Sequence, residues 1–195
     1  MKSNFETDER LWQATRLGSE LAFEALYRRY FQILVSYGKR IHPNEAMVND
    51  AIQDLFIDIW RTRHSLGQAE SVKFYLMSSL RRRILRLLKS DLPFSEEWDE
   101  LPEQALPMED SPETLFAEEE ENALQNEKLN KWLEQLPPRQ YEALLLRYFH
   151  NFEYVEIAGI LNIKEQTARN LVQKALYILR KLAIVLIIMV LGFIF

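Results

Sequence analysis

Between Ser90 and Glu127 the chain carries 14 acidic residues, four prolines and no lysine or arginine. No other feature limits its folding as much. Prolines interrupt helix and sheet alike, and a dense run of carboxylates repels itself and resists packing into a core. The segment therefore reads as an extended, flexible acidic linker. Fully stretched, its 38 residues reach roughly 125 Å. A chain of 195 residues interrupted in this way makes two small domains. The predicted boundaries are 1–89 for the first domain, 90–127 for the linker, 128–181 for the second domain and 182–195 for an apolar tail. Phe94, Trp98, Leu101, Leu106 and Phe116 are more apolar than a spacer requires, and read as anchor points on a partner.

The net charge of −5 hides the charge of the domains. Residues 1–89 hold 15 basic and 10 acidic side chains, and residues 128–195 hold 9 and 5. Two basic domains suit a polyanionic partner. Cysteine is absent, which excludes disulfide and thiolate chemistry and fits a reducing cytoplasm. The N-terminus has no charged-then-apolar leader, so a cytoplasmic location is expected. His42, His64 and His150 lie far apart, so neither a metal nor another cofactor is expected. No nucleophile–base set or phosphate loop stands out, so the protein is not expected to be an enzyme.

Glycine and proline are scarce outside the linker and apolar residues recur at three and four, so the fold class is all-α. The segment Phe152–Lys181 reads as a helix, a tight turn at Asn162 and a second helix. Asparagine tolerates left-handed backbone angles, and Ile163 is placed to plug the corner. From about Lys164, the positions Ala168, Leu171, Val172, Ala175, Leu176 and Leu179 form one predicted buried stripe. The opposite side carries Lys164, Gln166, Thr167, Arg169, Asn170, Gln173 and Lys174. Amides and cations with almost no acid are the side chains that read base edges and phosphates in a major groove. A helix-turn-helix is the sharper reading; an ordinary helical hairpin with a solvated face is the plainer one. Before it, Leu136-Pro137-Pro138-Arg139 marks a turn into a helix carrying Tyr141, Leu144, Leu145, Tyr148 and Phe149.

In the first domain, residues 1–19 are polar and weakly patterned. Phe23, Leu26, Tyr27, Tyr30, Leu34, Tyr37 and Ile41 then make a helical stripe, broken at Pro43-Asn44. The next helix, about Glu45 to Arg61, is predicted to bury Val48, Ile52, Leu55, Phe56 and Ile59. Asp50, Asp54 and Asp58 stack along its other side at i, i+4 and i+8. Such like-charge pairs cost a few tenths of a kcal/mol each, roughly. Arg61 is expected to offset part of this. The line is either a solvated face or a dock for a basic partner. A third helix, Val72 to Lys89, is expected to bury Leu76, Leu80, Ile84 and Leu87 and to expose Lys73, Arg81, Arg82, Arg83, Arg86 and Lys89. Phe74 and Tyr75 near its start are either core or base-stacking platforms.

Two segments carry a family resemblance. D-A-I-Q-D-L-F-I-D-I-W at Asp50–Trp60 resembles the region-two signature of bacterial RNA polymerase sigma factors. L-P-P-R-Q-Y-E-A-L-L-L-R-Y-F at Leu136–Phe149, followed by Y-V-E-I-A-G-I-L-N-I, resembles region four. Their order, with a connector and no third domain between them, is similar to the extracytoplasmic-function (ECF) sigma factors. The resemblance covers about residues 20–89 and 129–181, and implies core RNA polymerase and promoter DNA as partners, with an anti-sigma factor as a further candidate. It implies that Asp50, Gln53, Asp54, Asp58 and Trp60 dock the polymerase. It implies that the loop and helix bearing Arg61, Arg63, His64, Lys73, Phe74, Tyr75, Arg81, Arg82 and Arg86 recognise and melt the minus-10 element. The Lys164–Lys174 face is then implied to read the minus-35 element, and the linker to lie in a basic polymerase channel. Three positions depart from the pattern. Lys164 stands where many relatives place a capping Ser or Thr, Leu171 replaces a common basic residue, and Arg82 replaces a common Asn. Promoter sequence preference therefore does not carry over.

The last 14 residues, Leu182–Phe195, contain no polar side chain. A bilayer-spanning helix usually needs about 20 residues. An intramolecular or partner-bound helix is favoured, with membrane contact as the alternative. Two other functions compete with promoter recognition by a sigma factor. One is a stand-alone helix-turn-helix regulator. The other is a membrane-tethered interaction protein using the tail.

Overall fold

The computed structural model describes residues 7–90, 132–133 and 135–194, with side chains described up to 88 in the first unit and up to 183 in the second. Most of the linker and the side chains of the tail beyond 183 lie outside the described residues, and so do the linker's proposed anchor points. Among the described residues there are seven helices and no strand. The chain divides into two units, each described by itself.

The first unit begins with α1 (Asp8–Arg16), inside the stretch that the sequence pattern left featureless. Thr7 caps it, its hydroxyl accepting from the Arg10 N–H at 3.4 Å, and Asp8 and Glu9 favour the positive end of the helix dipole. Only Leu11, Trp12 and Thr15 are buried. Trp12 fixes the helix by tertiary contact: its indole N–H donates to the Gly67 carbonyl at 3.0 Å, and its ring lies 5.0 Å from that of Tyr75. Asp8 receives hydrogen bonds from Arg29 Nη1 at 2.7 Å and from the Tyr30 hydroxyl.

Helix α2 (Glu20–Ile41) starts at the Ser19 cap and buries Leu26, Tyr30, Leu34, Tyr37 and Ile41, with Phe23 and Tyr27 half-buried. Helix α3 (Glu45–Thr62) follows Pro43. Asn44 caps it, accepting from the Met47 N–H at 3.1 Å. All five predicted core positions, Val48, Ile52, Leu55, Phe56 and Ile59, are buried. The two helices approach so closely that a Cβ on Gly38 would stand 2.5 Å from Val48 Cγ1.

Helix α4 (Val72–Ser90) packs against α1, α2 and α3. Three neighbours bury a wider arc than one stripe. Met77, Ser78 and Arg81 join Leu76, Leu80 and Ile84 inside. This corrects two expectations. Arg81 is only 5% exposed, whereas Leu87, expected in the core, is 36% exposed in the last turn of the helix.

The second unit packs α5 (Pro138–Tyr148) against α6 (Tyr154–Leu161) and α7 (Glu165–Ile194), and α6 against α7. Pro138 occupies the first turn of α5, where its missing N–H costs nothing. Leu144 and Leu145 are buried, whereas Tyr148 and Phe149 are exposed at 54% and 39%. The chain turns away after Tyr148, and Asn151 takes a positive φ of 55°. Asn162 is left-handed, at φ 55° and ψ 54°, and ends α6 as expected. The Ile163 N–H closes onto the Ala158 carbonyl at 3.0 Å, with the Ile163 side chain half-buried. In α7, small residues at Ala168 and Ala175, with Val172, allow close packing. Leu171 and Leu179 are half-buried. Leu176 is 39% exposed, at the edge of the stripe next to the fully buried Ala175. The helical backbone continues without a break to Ile194. No helix among the described residues is long and apolar enough to cross a membrane.

Candidate nucleic-acid interface

Helix α7 presents its predicted reading face intact. Lys164, Gln166, Thr167, Arg169, Asn170, Gln173 and Lys174 are all exposed. Lys164 sits at the helix entry, where its carbonyl accepts from the Thr167 and Ala168 N–H groups at 2.9 and 3.1 Å. The cation there is followed by Glu165 in the first turn, a residue of the sign the dipole favours. Gln166 Nε2 donates to Asn170 Oδ1 at 3.1 Å, which joins two amides into one patch.

Arg169 is held from two sides. Its guanidinium meets Glu165 Oε1 at 2.6 Å and lies 4.5 Å above the Tyr154 ring of α6. Arg147 of α5 stacks on the same ring at 4.9 Å, pairs with Glu153 at 3.0 Å and donates to the Phe152 carbonyl at 2.8 Å. The Glu153 hydrogen bond raises the Arg147 pKa above its ordinary value. Three helices thus fix the pose of the arginine predicted to read DNA. Periodicity gave no sign of this, since Tyr154 and Arg147 belong to other helices. Beside the face, Gln140, Asn170, Gln173, Lys174, Tyr177 and Ile178 line a groove of about 410 Å³. The Gln140 amide oxygen is buried there without a hydrogen-bond partner.

In the first unit Asp50, Gln53, Asp54 and Asp58 are exposed along α3. The cation against this line comes from α4: Arg83 pairs with Asp58 and, at 3.7 Å, with Asp54. Sequence reading named Arg61 for this role, because a pairing across 25 residues leaves no local signature. Trp60 differs from the acids. It is half-buried, with its ring 4.9 Å from that of Phe23 and the Arg63 guanidinium 4.3 Å above it.

The predicted minus-10 residues do not form one cluster. Tyr75, Arg82 and Arg86, with Arg83, line a pocket of about 200 Å³ between α3 and α4. Arg61 and His64 are exposed elsewhere, on the end of α3 and the following turn, and Lys73 and Phe74 are half-buried. Arg63 is occupied by Trp60, donating to its carbonyl at 2.6 Å. Arg81, buried inside the unit, does not reach the surface with them. Among the described residues no group of His, Asp or Glu is arranged to hold a metal ion.

Two family models match the chain: Sigma-70 region 2 over residues 26–91 and Sigma-70, region 4 over residues 127–179. No curated protein matches it. Among solved structures, it is similar to CnrH in complex with the cytosolic domain of CnrY, with a TM-score of 0.59 and 16% identity, covering 90% of this chain and 96% of that one. It is also similar to the sigma factor RpoE in complex with the anti-sigma factor NepR from Bartonella quintana, with a TM-score of 0.56 and 19% identity, covering 83% and 96%. At those identities the structures speak to the fold. The two family regions, in order and together spanning more than half of the residues, show that this chain belongs to the sigma-70 family, the factors that bind core RNA polymerase and promoter DNA to start transcription.

Proposed function

We propose that the protein is a sigma factor of the extracytoplasmic-function type, acting in the bacterial cytoplasm and carrying no catalytic site of its own. The observation that carries this reading is the pairing of region 2 and region 4 in one chain, with exposed reading groups on α7. Asp50, Gln53, Asp54 and Asp58 of α3 dock the polymerase, and Trp60 braces that helix through Phe23. Tyr75, Arg82 and Arg86 receive the melted minus-10 strand, with Arg61, His64, Lys73 and Phe74 at the margin. Unpaired bases stack on rings while guanidiniums meet phosphates. The face from Lys164 to Lys174 enters the major groove of the minus-35 element. Residues 90–127 serve as the tether between the two contacts. CnrH and RpoE are each described with a protein partner, and RpoE's is an anti-sigma factor; a partner of that kind is the candidate regulator here.

The test is run-off transcription with purified core polymerase on a promoter library, with and without this chain. Specific transcripts that depend on the chain are expected. If initiation is the same without it, the reading fails.

A further inference from the structure

Arg83 belongs to two surfaces at once. Its guanidinium contacts Asp58 through Nη2 and stands 3.7 Å from Asp54 through Nη1. The Arg83 side chain is 23% exposed, whereas Asp54 and Asp58 are 62% and 52% exposed. The acids can therefore accept a second cation from outside without moving, while the arginine is covered. Arg83 also lines the pocket between α3 and α4 beside Tyr75, Ser79, Arg82 and Arg86. Asp58 is the acid in that lining, so the charge that holds Arg83 also opposes any phosphate approaching Arg82 and Arg86.

We propose that Arg83 is an exchangeable nucleic-acid-binding residue, held by Asp54 and Asp58 in the free protein and released to a DNA phosphate when a basic polymerase surface takes those carboxylates. This rests on the reading of α3 as the polymerase dock. Exposed ion pairs contribute little and are screened by salt, so the exchange is cheap in either direction. Once a partner neutralises Asp58, three guanidiniums line the pocket with no opposing charge. Polymerase binding then improves strand capture, and by linkage a captured strand tightens polymerase binding by the same factor.

The test uses the full chain, core polymerase and a fluorescent single-stranded DNA oligonucleotide, with circular dichroism on every variant. Arg83→Gln removes the internal competitor, so core affinity is expected to rise about two- to fivefold at low salt and to return to the wild-type value at high salt. A purely structural role predicts the opposite sign. Asp58→Asn frees Arg83 in the isolated chain, so its affinity for the oligonucleotide is expected to rise by a similar factor. Asp54→Asn is expected to lower core affinity. If Asp54→Asn lowers it but Arg83→Gln leaves it unchanged or lowers it, the exchange is overturned and the docking role stands. If Asp50→Asn and Asp54→Asn both leave core affinity unchanged, the docking role falls and the exchange falls with it. Should Arg83→Gln fail to fold, the Asp58→Asn measurement decides, and an unchanged oligonucleotide affinity overturns the proposal.

Discussion

Helices α4 and α7 both carry cations proposed to meet nucleic acid, and they hold them in opposite ways. Helix α4 is packed against three neighbours and buries even Ser78 and Arg81. Its Arg83 is tied to carboxylates of another helix. Helix α7 buries a narrow line of Ala168, Val172 and Ala175 and leaves the whole predicted reading face outside. Its Arg169 is tied to a glutamate one turn back and to a ring on the preceding helix. In α4, proposed recognition and stability share residues. In α7, they are separated across the helix.

The most damaging test of that contrast is Leu80→Ala in α4. Leu80 is fully buried, and such truncations cost about 2–5 kcal/mol. Denaturant unfolding is expected to show the first unit lost or strongly destabilised while the second still binds a minus-35 duplex. Equal loss in both units would mean that they do not fold separately. Gly38→Ala comes next. The added Cβ meets the stiff, β-branched Val48 at 2.5 Å, so α2 and α3 must separate, at about 1–3 kcal/mol. A melting temperature unchanged by that substitution would show that the contact relaxes freely.

On α7 the expected effect moves from stability to binding. Arg169→Ala is expected to weaken duplex binding by about 1–3 kcal/mol and to change unfolding by no more than about 0.5 kcal/mol, the usual range for an exposed position. Tyr154→Ala removes the ring but keeps the charge, so it should give a smaller loss in the same assay. If Tyr154→Ala costs as much binding as Arg169→Ala, pose matters as much as charge at this site. If neither changes duplex affinity, the reading face lies elsewhere.

The parts legible in the sequence were those fixed by one helix alone. The α3 stripe from Val48 to Ile59, the left-handed Asn162 and the exposed set from Lys164 to Lys174 all follow from local periodicity or local backbone preference. The rest depended on how many neighbours each helix has. Period predicts the direction of a stripe, not its width or how far along the helix it stays covered, so Arg81 was expected outside and Leu87 inside. Leu176 was likewise expected in the core, and it lies at the edge of its stripe. Helix α1 has few apolar residues, and its place comes from Trp12 reaching Gly67 and Tyr75. The pairing of Arg83 with α3 likewise exists only after folding.

The smallest expected effect concerns how α1 is anchored in the α4 unit. Tyr30 is buried and its hydroxyl donates to Asp8. Burial, then the hydrogen bond and charge of Asp8, push the phenol pKa above its ordinary value. The folded state therefore keeps a proton that the unfolded state gives up as pH rises past about 10. Stability from this group is fully present below that pH and declines above it, because the unfolded chain binds fewer protons than the native one. Tyr30→Phe is expected to cost about 1 kcal/mol at neutral pH through the lost hydrogen bond. It should also flatten the decline of melting temperature above pH 10 relative to wild type. An identical alkaline decline in both proteins would mean that other groups govern it, and that Asp8 anchors α1 through Arg29 alone.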